Sequence, residues 1–509
     1  MNARTRLFDA WIVWVAVALV TVATNANAQN SQRESDANEQ SVSWLNPFHD
    51  PLNVLPPPTL KPITLLSDLQ LDVIKDCDGV EAMWGDAAPE QMPEMRFEDA
   101  LALAICRNPE LRQSKATVQA SAASLGQVKA AGLPTISAGV SRTIQSLTYP
   151  ENSFPNERLY ATTKNIGATW QLFDFGQQKH KELAQTRQLE ASEASLDAAA
   201  RKVVLDVAQY YFAAQSAAAM RMAKEQVVAT SKQILQSTNN RAEKGMADQS
   251  DVLQAKSGVA RAEYDASVSR GEAEKARATL SQVLGTRGLV HPYRVSTAEV
   301  EAALDGPSPD DSTALIVSDL ERRLEEIRSG HPAIVAARAQ VEAASQTLLA
   351  TKLEALPTVD ISWNQYDNGR PNQTLSTVSN VERTTALNLR IPIFDGYAQT
   401  YKVRLAQAQL EQKKAELEST EAQVLKDTLY LFADTRAAVS NLRSAQQLAI
   451  AAQLATDSIK RRYDQGAADL VQLNQSLVSL ESAKSELVKS WTEWQSARLR
   501  LVVQLGATL

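Results

Sequence analysis

The residues that could carry out chemistry are scattered along this sequence and do not form a recognisable site. The four histidines, His49, His180, His291 and His331, are far apart, so their spacing does not predict a metal site. The sequence has no GxSxG, HExxH, GxGxxG or phosphate-loop pattern. Its net charge of −7, without a basic stripe, argues against nucleic-acid binding. The sequence therefore predicts no catalytic residue, no metal and no cofactor.

Polar residues do gather at two glycine turns, where their types suit the capping of helices. The first turn contains Arg241, Lys244, Gly245, Asp248 and Asp251, and the second contains Arg461, Arg462, Gly466, Asp469 and Gln472. Cations favour the carboxyl end of a helix, glycine suits the residue after that end, and aspartate suits the start of the next helix. Each turn is predicted to join two helices, and capping alone accounts for these residues.

The elements that position the first turn form a helical hairpin. Apolar residues recur at intervals of seven on Leu189, Leu196, Val203 and Tyr210, which is the spacing of a coiled-coil seam. No proline interrupts residues 165–285. We therefore predict a long helix over 176–244 and a returning helix over 247–284.

The landmarks of this stretch occur twice in the chain. Phe173 and Gly245 recur at one shared spacing of about 220 residues as Phe394 and Gly466, and Pro109 recurs at nearly the same spacing as Pro332. The seam repeats as well, on Leu410, Leu417, Val424 and Leu431. This agreement predicts an internal duplication of a structural unit of about 180 residues.

Two short segments in each copy alternate apolar and polar residues with period two, as strands do. The apolar positions are Ile136, Ala138, Val140 and Ile144; Ile166, Ala168, Trp170 and Leu172; Val359, Ile361 and Trp363; and Leu387, Leu389, Ile391 and Ile393. One apolar face and one small polar face are typical of a barrel wall between lipid and water, although a strand on a protein core alternates in the same way. Four strands cannot close a barrel, whereas three chains would supply twelve.

The N-terminal segment has the composition of a secretory signal. Two arginines precede an apolar run of about 13 residues, and Ala26-Asn27-Ala28 follows with small residues at the cleavage spacing. We predict cleavage after residue 28, followed by a polar and proline-rich extension. In an exported protein Cys77 and Cys106 could pair in a disulfide, but two buried thiols fit the sequence equally well.

These features predict an α+β chain that is mainly helical and is organised in five parts. The parts are a signal peptide (1–28), an N-terminal extension (29–96), a first repeat of a helix, two strands and a long helical hairpin (97–285), an insert in the equatorial region (286–330), and a second repeat (331–509).

Several phrases in the sequence carry a family resemblance. They are CRNPELR at 106–112, GLPT at 132–135, LFDFGQ at 172–177, IPIFDG at 391–396, and the two glycine turns. From residue 97 to the C-terminus the chain resembles the TolC family of outer-membrane channels. The first and third phrases look most like its type I secretion, cyclolysin exporter-like branch. No cysteine directly follows the apolar run, unlike in the family's lipoprotein efflux branch.

The resemblance implies a homotrimer in the bacterial outer membrane. Three chains would form a twelve-stranded transmembrane β-barrel, continued into the periplasm by an α-barrel of long antiparallel coiled-coil helices. Such a channel would be a passive duct without catalytic residues. Its partners would be a periplasmic adaptor, or membrane fusion protein, and an inner-membrane transporter of ABC type.

The resemblance also implies roles for the glycine turns as the periplasmic tip. Tyr463 and Asp251 match a tyrosine and an aspartate whose bonds hold the family's tunnel closed, and a hydrogen bond from phenol to carboxylate is chemically sound. Relatives carry pore-facing aspartates where this chain has Gln472 and Gln475. The sequence therefore leaves undecided whether the gate is acidic, and Asp469 is a partial replacement for those aspartates. The adaptor is expected to dock on Gly245, Met246, Ala247, Asp248, Gly466, Ala467 and Ala468. The strand-to-helix turns are expected at Phe173, Asp174, Gly176, Phe394, Asp395 and Gly396.

Three functions remain open from the sequence. The first is an export duct for a protein substrate in a type I system. The second, with the same fold, is the outer-membrane component of a small-molecule or drug efflux pump. The third is a soluble periplasmic coiled-coil scaffold, which accounts for the heptads but leaves the alternating strands unexplained.

Overall fold

The computed structural model describes residues 94–147, 157–245, 248–286, 294–297, 320–367, 381–465 and 467–505. The predicted signal peptide and nearly all of the predicted extension, including Cys77, lie outside these ranges. None of the helices within these ranges contains an apolar stretch of the length needed to span a lipid bilayer.

Helices dominate the described residues, as predicted. In chain order the elements are β1 (Glu94–Met95), α1 (Phe97–Arg107), α2 (Pro109–Ala130), β2 (Thr135–Leu147), β3 (Glu157–Phe173), α3 (Gln177–Glu243), α4 (Gln249–Val283), β4 (Arg294–Val295), α5 (Leu320–Gly330), α6 (Pro332–Leu353), β5 (Thr358–Asp367), β6 (Val381–Arg390), α7 (Ala398–Asp464) and α8 (Leu470–Leu505).

The two longest helices, α3 and α7, have 67 residues each. At 1.5 Å per residue each is about 100 Å long, so the predicted long helices are confirmed. Helix α3 packs against α1, α2, α4, α6 and α8, whereas α7 packs mainly against α6 and α8. The shorter helices α2 and α4 both lie along α3, and the pairing of α3 with α4 confirms the predicted helical hairpin.

The first repeat begins with two helices and not with the one that was predicted, because the helical segment breaks at Asn108. Pro109 has no N–H to continue a helix but fits the first position of a new one. The Asn108 side chain caps α2 by accepting hydrogen bonds from the N–H groups of Glu110 and Leu111, at 2.8 and 3.2 Å. Its amide also donates to the carbonyl of Val283 at 2.8 Å. Asn108 therefore joins the ends of α1, α2 and α4.

Four of the strands form one antiparallel sheet in the order β2-β3-β5-β6. Thr135 opposes Thr169 at the start of the β2–β3 ladder, and Trp170 opposes Ile361 in the β3–β5 ladder. Strands β2 and β6 are the edges of this sheet. A second, two-stranded parallel sheet pairs β1 with β4, which brings residue 94 next to the segment between the two long helical regions.

The largest buried cluster lies where α1, α3, α4 and α8 meet. Phe97 stacks on Phe212 with ring centroids 5.6 Å apart, and the hydroxyl of Tyr211 donates to the carbonyl of Met95 at 3.1 Å. Much of the remaining helix packing uses alanine, because small side chains allow long helices to approach closely. This cluster anchors β1 and α1 to the middle of α3.

Candidate functional site

The four-stranded sheet has one apolar face and one polar face, and large side chains on its apolar face are exposed. The exposed apolar residues include Ile136, Val140, Ile144, Ile166, Trp170, Leu172, Leu387 and Leu389. On the opposite face the side chains of Asn165 and Asn364 lie over Gly139 and Gly167, where an added Cβ would come within 2.6 and 2.5 Å of the amide oxygens. The predicted alternation is therefore present, and the described chain places no protein core against the apolar face.

The sheet connects to the long helices through two turns of similar construction. Asp174 accepts a hydrogen bond from the N–H of Gln178 at 2.7 Å, and Asp395 accepts one from Gln399 at 2.6 Å. The side chains of these two glutamines also donate to carbonyls at the ends of α2 and α6. Each turn thus locks a strand, a long helix and a short helix together.

Each of these turns contains two consecutive residues with positive φ. They are Phe175 and Gly176 in the first turn, at 54° and 87°, and Gly396 and Tyr397 in the second, at 68° and 67°. Glycine adopts this conformation without strain, but an aromatic residue does so at a cost. An aromatic side chain therefore stands exposed at a strained position in both turns, next to Phe173 in one and Phe394 in the other.

At the opposite end of the long helices, the first glycine turn has the predicted caps. Gly245 has a φ of 70° after the end of α3. Asp248 caps α4 by accepting a hydrogen bond from the N–H of Gln249 at 2.7 Å, while the carboxylate of Asp251 accepts one from the N–H of Asp248 at 3.3 Å. The docking residues Met246 and Ala247 lie outside the described residues.

The second glycine turn is built in a related way. The N–H of Ala467 donates to the carbonyl of Arg462 at 2.8 Å, and Asp469 accepts a hydrogen bond from the N–H of Gln472 at 2.7 Å. Ala468 is partly buried against the cluster that packs the tip. Gly466 lies outside the described residues.

The structure brings the two turns together through Tyr463. Its ring is buried in a small cluster with Ala255 from α4 and Leu470 and Leu473 from α8. The guanidinium of Arg241 lies 4.8 Å from the centroid of this ring and donates to the Tyr463 carbonyl at 3.4 Å. An arginine over an aromatic face is a stabilising cation–π contact, so Arg241 links the end of α3 to the end of α7.

Among the described residues the expected bond between the Tyr463 hydroxyl and Asp251 is not formed, because the Asp251 carboxylate caps its own helix. Their shared role in a gate stays a prediction. Gln472 and Gln475 are exposed and line an open groove between α7 and α8. The sequence had identified Arg241 only as a cation near a helix end. Its position close to the glycine turn was the available signal, but which residue it would contact depends on how the helices pack.

Electrostatic shifts in the described chain fall on residues away from the tip. The side chain of His331 caps α6 by accepting a hydrogen bond from the N–H of Ala333 at 3.3 Å. Burial, together with the positive charge of Arg201, lowers the pKa of this histidine to about 4. Within the described ranges no group of three or more histidine, cysteine or acidic side chains is arranged to hold a metal ion. Cys106 carries a disulfide bond, while its pairing with Cys77 stays a prediction.

Comparison with known proteins identifies the class of this architecture. The sequence profile of the family described as "Outer membrane efflux protein" matches residues 100–286 and 324–507. The chain is 29% identical over 444 residues to Protein CyaE of Bordetella pertussis, covering 83% of this chain and 85% of that protein. It is 23% identical to the outer membrane protein TolC of Salmonella enteritidis, covering 78% and 79%.

The fold also matches solved structures of outer-membrane channels. The CmeC outer membrane channel of Campylobacter jejuni superposes with a TM-score of 0.67 at 16% identity, covering 81% of this chain and 86% of that one. Since the family profile covers more than two thirds of the sequence, the chain belongs to the outer membrane efflux protein family, whose members are passive channels of the outer membrane and not enzymes.

Proposed function

We propose that the protein is the exit duct of a type I secretion system in the outer membrane. In this proposal an inner-membrane ABC transporter supplies the energy and a periplasmic adaptor connects it to the duct. The observation that carries the duct itself is the four-stranded sheet, with an exposed apolar face, a polar face and two free edges. A wall between lipid and a water-filled channel requires this combination.

Closure of the duct requires a homotrimer. The edges β2 and β6 present unpaired backbone groups, and pairing β2 of one chain with β6 of the next would give twelve strands. The same assembly would cover the open side of α7, where large apolar side chains are exposed: Tyr401, Leu405, Leu425, Leu429, Tyr430, Leu448, Ile450 and Leu454. Barrel closure and helix burial thus favour the same stoichiometry.

The proposed architecture retains the five-part organisation and the internal duplication. Each copy would be one short helix, two strands, one of the two long helices and one returning helix, and the observed order of elements supports this division. Residues 286–330 would form a belt around the middle of the helical tunnel together with the C-terminal end. The pairing of β1 with β4 supports this placement, because it ties the insert to α1.

The secretion branch is supported by the sequence. The phrases CRNP and LFDFGQ are the ones most similar to the type I, cyclolysin exporter-like branch, and identity to Protein CyaE, at 29%, is higher than to the TolC of Salmonella, at 23%. A soluble periplasmic scaffold is not compatible with membership of a family of outer-membrane channels.

The glycine turns would form the closed periplasmic tip, with Tyr463 and Asp251 in its gate. Asp469, Gln472 and Gln475 would face the pore at the same level. The adaptor would dock on Gly245, Met246, Ala247, Asp248, Gly466, Ala467 and Ala468. The burial of the Tyr463 ring between helix ends of both copies supports a structural role at the closed tip.

Conductance in a planar bilayer tests the proposal. The wild-type trimer should give small, long-lived, stepwise currents, because the barrel is open and the tip is constricted. Tyr463→Phe combined with Asp251→Ala should raise the single-channel conductance without dissociating the trimer. No insertion of a folded trimer would overturn the duct, whereas unchanged conductance in the double variant would overturn only the gate.

The second candidate is the outer-membrane component of a small-molecule efflux pump, which the family's description as an efflux protein favours. The two functions can be separated by expressing the protein in cells that lack their own channel. The cells are supplied either with the adaptor and transporter of a type I system or with those of an efflux pump. Restored export of a protein substrate supports secretion, and restored drug resistance alone supports efflux.

A further inference from the structure

Cations interrupt the apolar face of the sheet on three of its four strands. Arg142 on β2, Lys164 on β3 and Arg383 on β6 are all exposed. Because side chains alternate along a strand, each lies on the same face as the apolar residue two or four positions away, namely Val140, Ile166 and Leu387. We call these three residues the cationic belt.

The belt crosses the strands obliquely. Through the register of the sheet, Arg383 lies four residues closer to the helices than Arg142, with Lys164 between them. Four residues along a strand span about 14 Å, and the three spacings from β2 to β6 also span about 14 Å. The belt therefore makes an angle of about 45° with the strands. Strands of transmembrane barrels tilt by about 35–45°, so an oblique line across the sheet corresponds to one height in a barrel.

The edge of the sheet next to the helices slants in the same direction. Thr135, the first residue of β2, is in register through Thr169 with Ser362. Strand β5, however, begins at Thr358, four residues closer to the helices. The belt therefore runs roughly parallel to the edge where the helices begin, and the apolar face between them has a nearly constant height.

The height of the apolar face, from the strand-to-helix turns to the cationic belt, matches the thickness of the hydrocarbon layer of a membrane. The exposed aromatic residues of the two strand-to-helix turns mark its lower boundary, nine residues from Lys164 at Phe173 and eleven residues from Arg383 at Phe394. With a tilt of about 40°, these separations give about 23 to 29 Å, against an apolar band of about 25 Å in outer-membrane barrels. Aromatic side chains at one interface and cations at the other therefore frame one hydrocarbon layer.

The belt carries a net positive charge that the described chain does not neutralise. Asp367 opposes Lys164 in the sheet, so three cations and one anion leave +2 per chain. The Nε of Arg383 donates to the side-chain oxygen of Gln365 at 3.0 Å, which leaves its two terminal nitrogens available. None of the three cations has an ion-pair partner within the described ranges.

We propose that the cationic belt binds phosphate-bearing lipid headgroups of the outer leaflet. This inference rests on the proposed barrel, in which the apolar face is turned toward lipid and the helices extend into the periplasm. The guanidinium groups of Arg142 and Arg383 can bind phosphate oxygens in pairs, and the Lys164 ammonium adds a compact charge. Each cation close to an anionic lipid surface is attracted to it, and a trimer would present the belt three times.

The test compares lipid retention by the full-length trimer and by a variant. Both are reconstituted in vesicles of phosphatidylcholine that contain either bisphosphorylated lipid A or its dephosphorylated form, then extracted gently, and the retained lipid per trimer is counted. The variant is Arg142→Gln, Lys164→Gln and Arg383→Gln. A matched control replaces three exposed helix cations, as Lys232→Gln, Lys484→Gln and Lys489→Gln.

We expect the wild-type trimer and the helix control to retain several-fold more of the phosphorylated lipid, and the belt variant to lose this preference while remaining trimeric. Equal retention by the belt variant would overturn the proposal. Binding of free inorganic phosphate by the belt without retention of either lipid would also overturn it, because the site would then bind a free anion and not a headgroup. Failure of the wild-type protein to insert into the vesicles would overturn the proposed barrel. Insertion without a preference for the phosphorylated lipid would overturn only the lipid-binding role of the cationic belt.

Discussion

Helices α3 and α7 occupy corresponding places in the two halves of the chain, and their surroundings differ. At the spacing that relates Gly245 to Gly466, Leu425 of α7 corresponds to Val204 of α3, and Leu429 corresponds to Ala208. The two α7 residues are 43% and 42% exposed, while the two α3 residues are 1% and 0% exposed. Helix α3 is enclosed by its own chain, whereas the same face of α7 is open.

The open face explains why one chain is an incomplete unit. Burial of apolar surface stabilises by roughly 25 cal/mol per Å², and a helix with eight large exposed apolar side chains leaves much of this contribution unused. In the trimer that we propose, a second copy of the chain would supply for α7 what α6 and α8 of the other half supply for α3. Similar sequences thus serve as a core in one half and as a subunit interface in the other.

The largest effect is expected from an aspartate placed at corresponding positions of α3 and α7, because one position lies in the core and the other in the proposed subunit interface. Val204→Asp buries an unpaired carboxylate and should cost several kcal/mol, enough to prevent accumulation of folded protein. Leu425→Asp should leave the chain helical by circular dichroism but shift it from trimer to monomer in light scattering. Leu425→Met, which keeps the position apolar, is the control and should remain trimeric.

A trimeric Leu425→Asp protein would contradict the interface that we assign to α7. Complete loss of helicity in that variant would show instead that the chain cannot fold without the other subunits. Val204 and Leu425 would then both be required for folding.

Two glycines with the same backbone conformation allow a second comparison. Gly285 and Gly245 end the two helices of one hairpin with φ of 69° and 70°. A Cβ at Gly285 would lie 2.5 Å from the carbonyl oxygen of Arg107, while one at Gly245 would meet no atom within 4 Å. Gly245→Ala should cost about 1 kcal/mol from its positive φ alone, and Gly285→Ala about 2 to 4 kcal/mol because the clash adds to this strain.

Thermal unfolding of the purified variants at one protein concentration measures this difference. Equal losses at the two positions would mean that the contact between α4 and the end of α1 relaxes without cost. Neither glycine lies on the open face of α7, so both variants should remain trimeric before they unfold.

Much of this fold could be predicted from spacing. The heptad spacing predicted the helices of the first hairpin to within one or two residues at each end. The alternation of apolar and polar residues predicted the two faces of the sheet. The break at Asn108 was missed but was predictable, because Pro109 cannot continue a helix and suits the first position of a new one. The extent of β3 was also underestimated, since residues such as Lys164 and Thr162 interrupt the apolar alternation where the belt begins.

The tip was harder to predict than the fold, because its contacts join residues distant in sequence. Capping by Asp248 and Asp469 is local and followed from residue types. The stacking of Arg241 on Tyr463 depends on how α3 and α7 converge, which no spacing within one copy records. The gate inferred from the family resemblance named Tyr463 but gave it a different partner.

The tip offers a smaller test of the same comparison. Arg241 stacks on Tyr463, whereas its counterpart at the repeat spacing, Arg462, donates to the carbonyl of Ala467 at 3.3 Å and stacks on no ring among the described residues. A cation–π contact is worth about 1 kcal/mol when partly buried, so Arg241→Met should raise the open probability about five-fold in a planar bilayer. Arg462→Met should leave it unchanged. Equal effects would mean that tip charge, and not stacking on Tyr463, holds the tunnel closed.

The smallest expected difference concerns the caps of α2 and α6. Asn108 and His331 occupy the same place before a proline, but only the histidine titrates. The folded-state pKa of His331 is about 4, below the ordinary value of 6.5. Between these values the unfolded chain binds more protons than the folded chain, so stability should decrease as pH falls through this window and be unaffected above it.

His331→Asn should remove that part of the pH dependence, because an amide oxygen accepts the same hydrogen bond without titrating. The expected loss in the wild-type protein between pH 7 and pH 4 is about 1 to 2 kcal/mol, smaller than the full shift implies because the ring is partly exposed to solvent. The unfolding midpoints of the two proteins, measured across this range, should diverge only below about pH 6.5. Parallel curves would mean that the protonated ring keeps a partner at the start of α6, and that the two caps are equivalent despite their different chemistry.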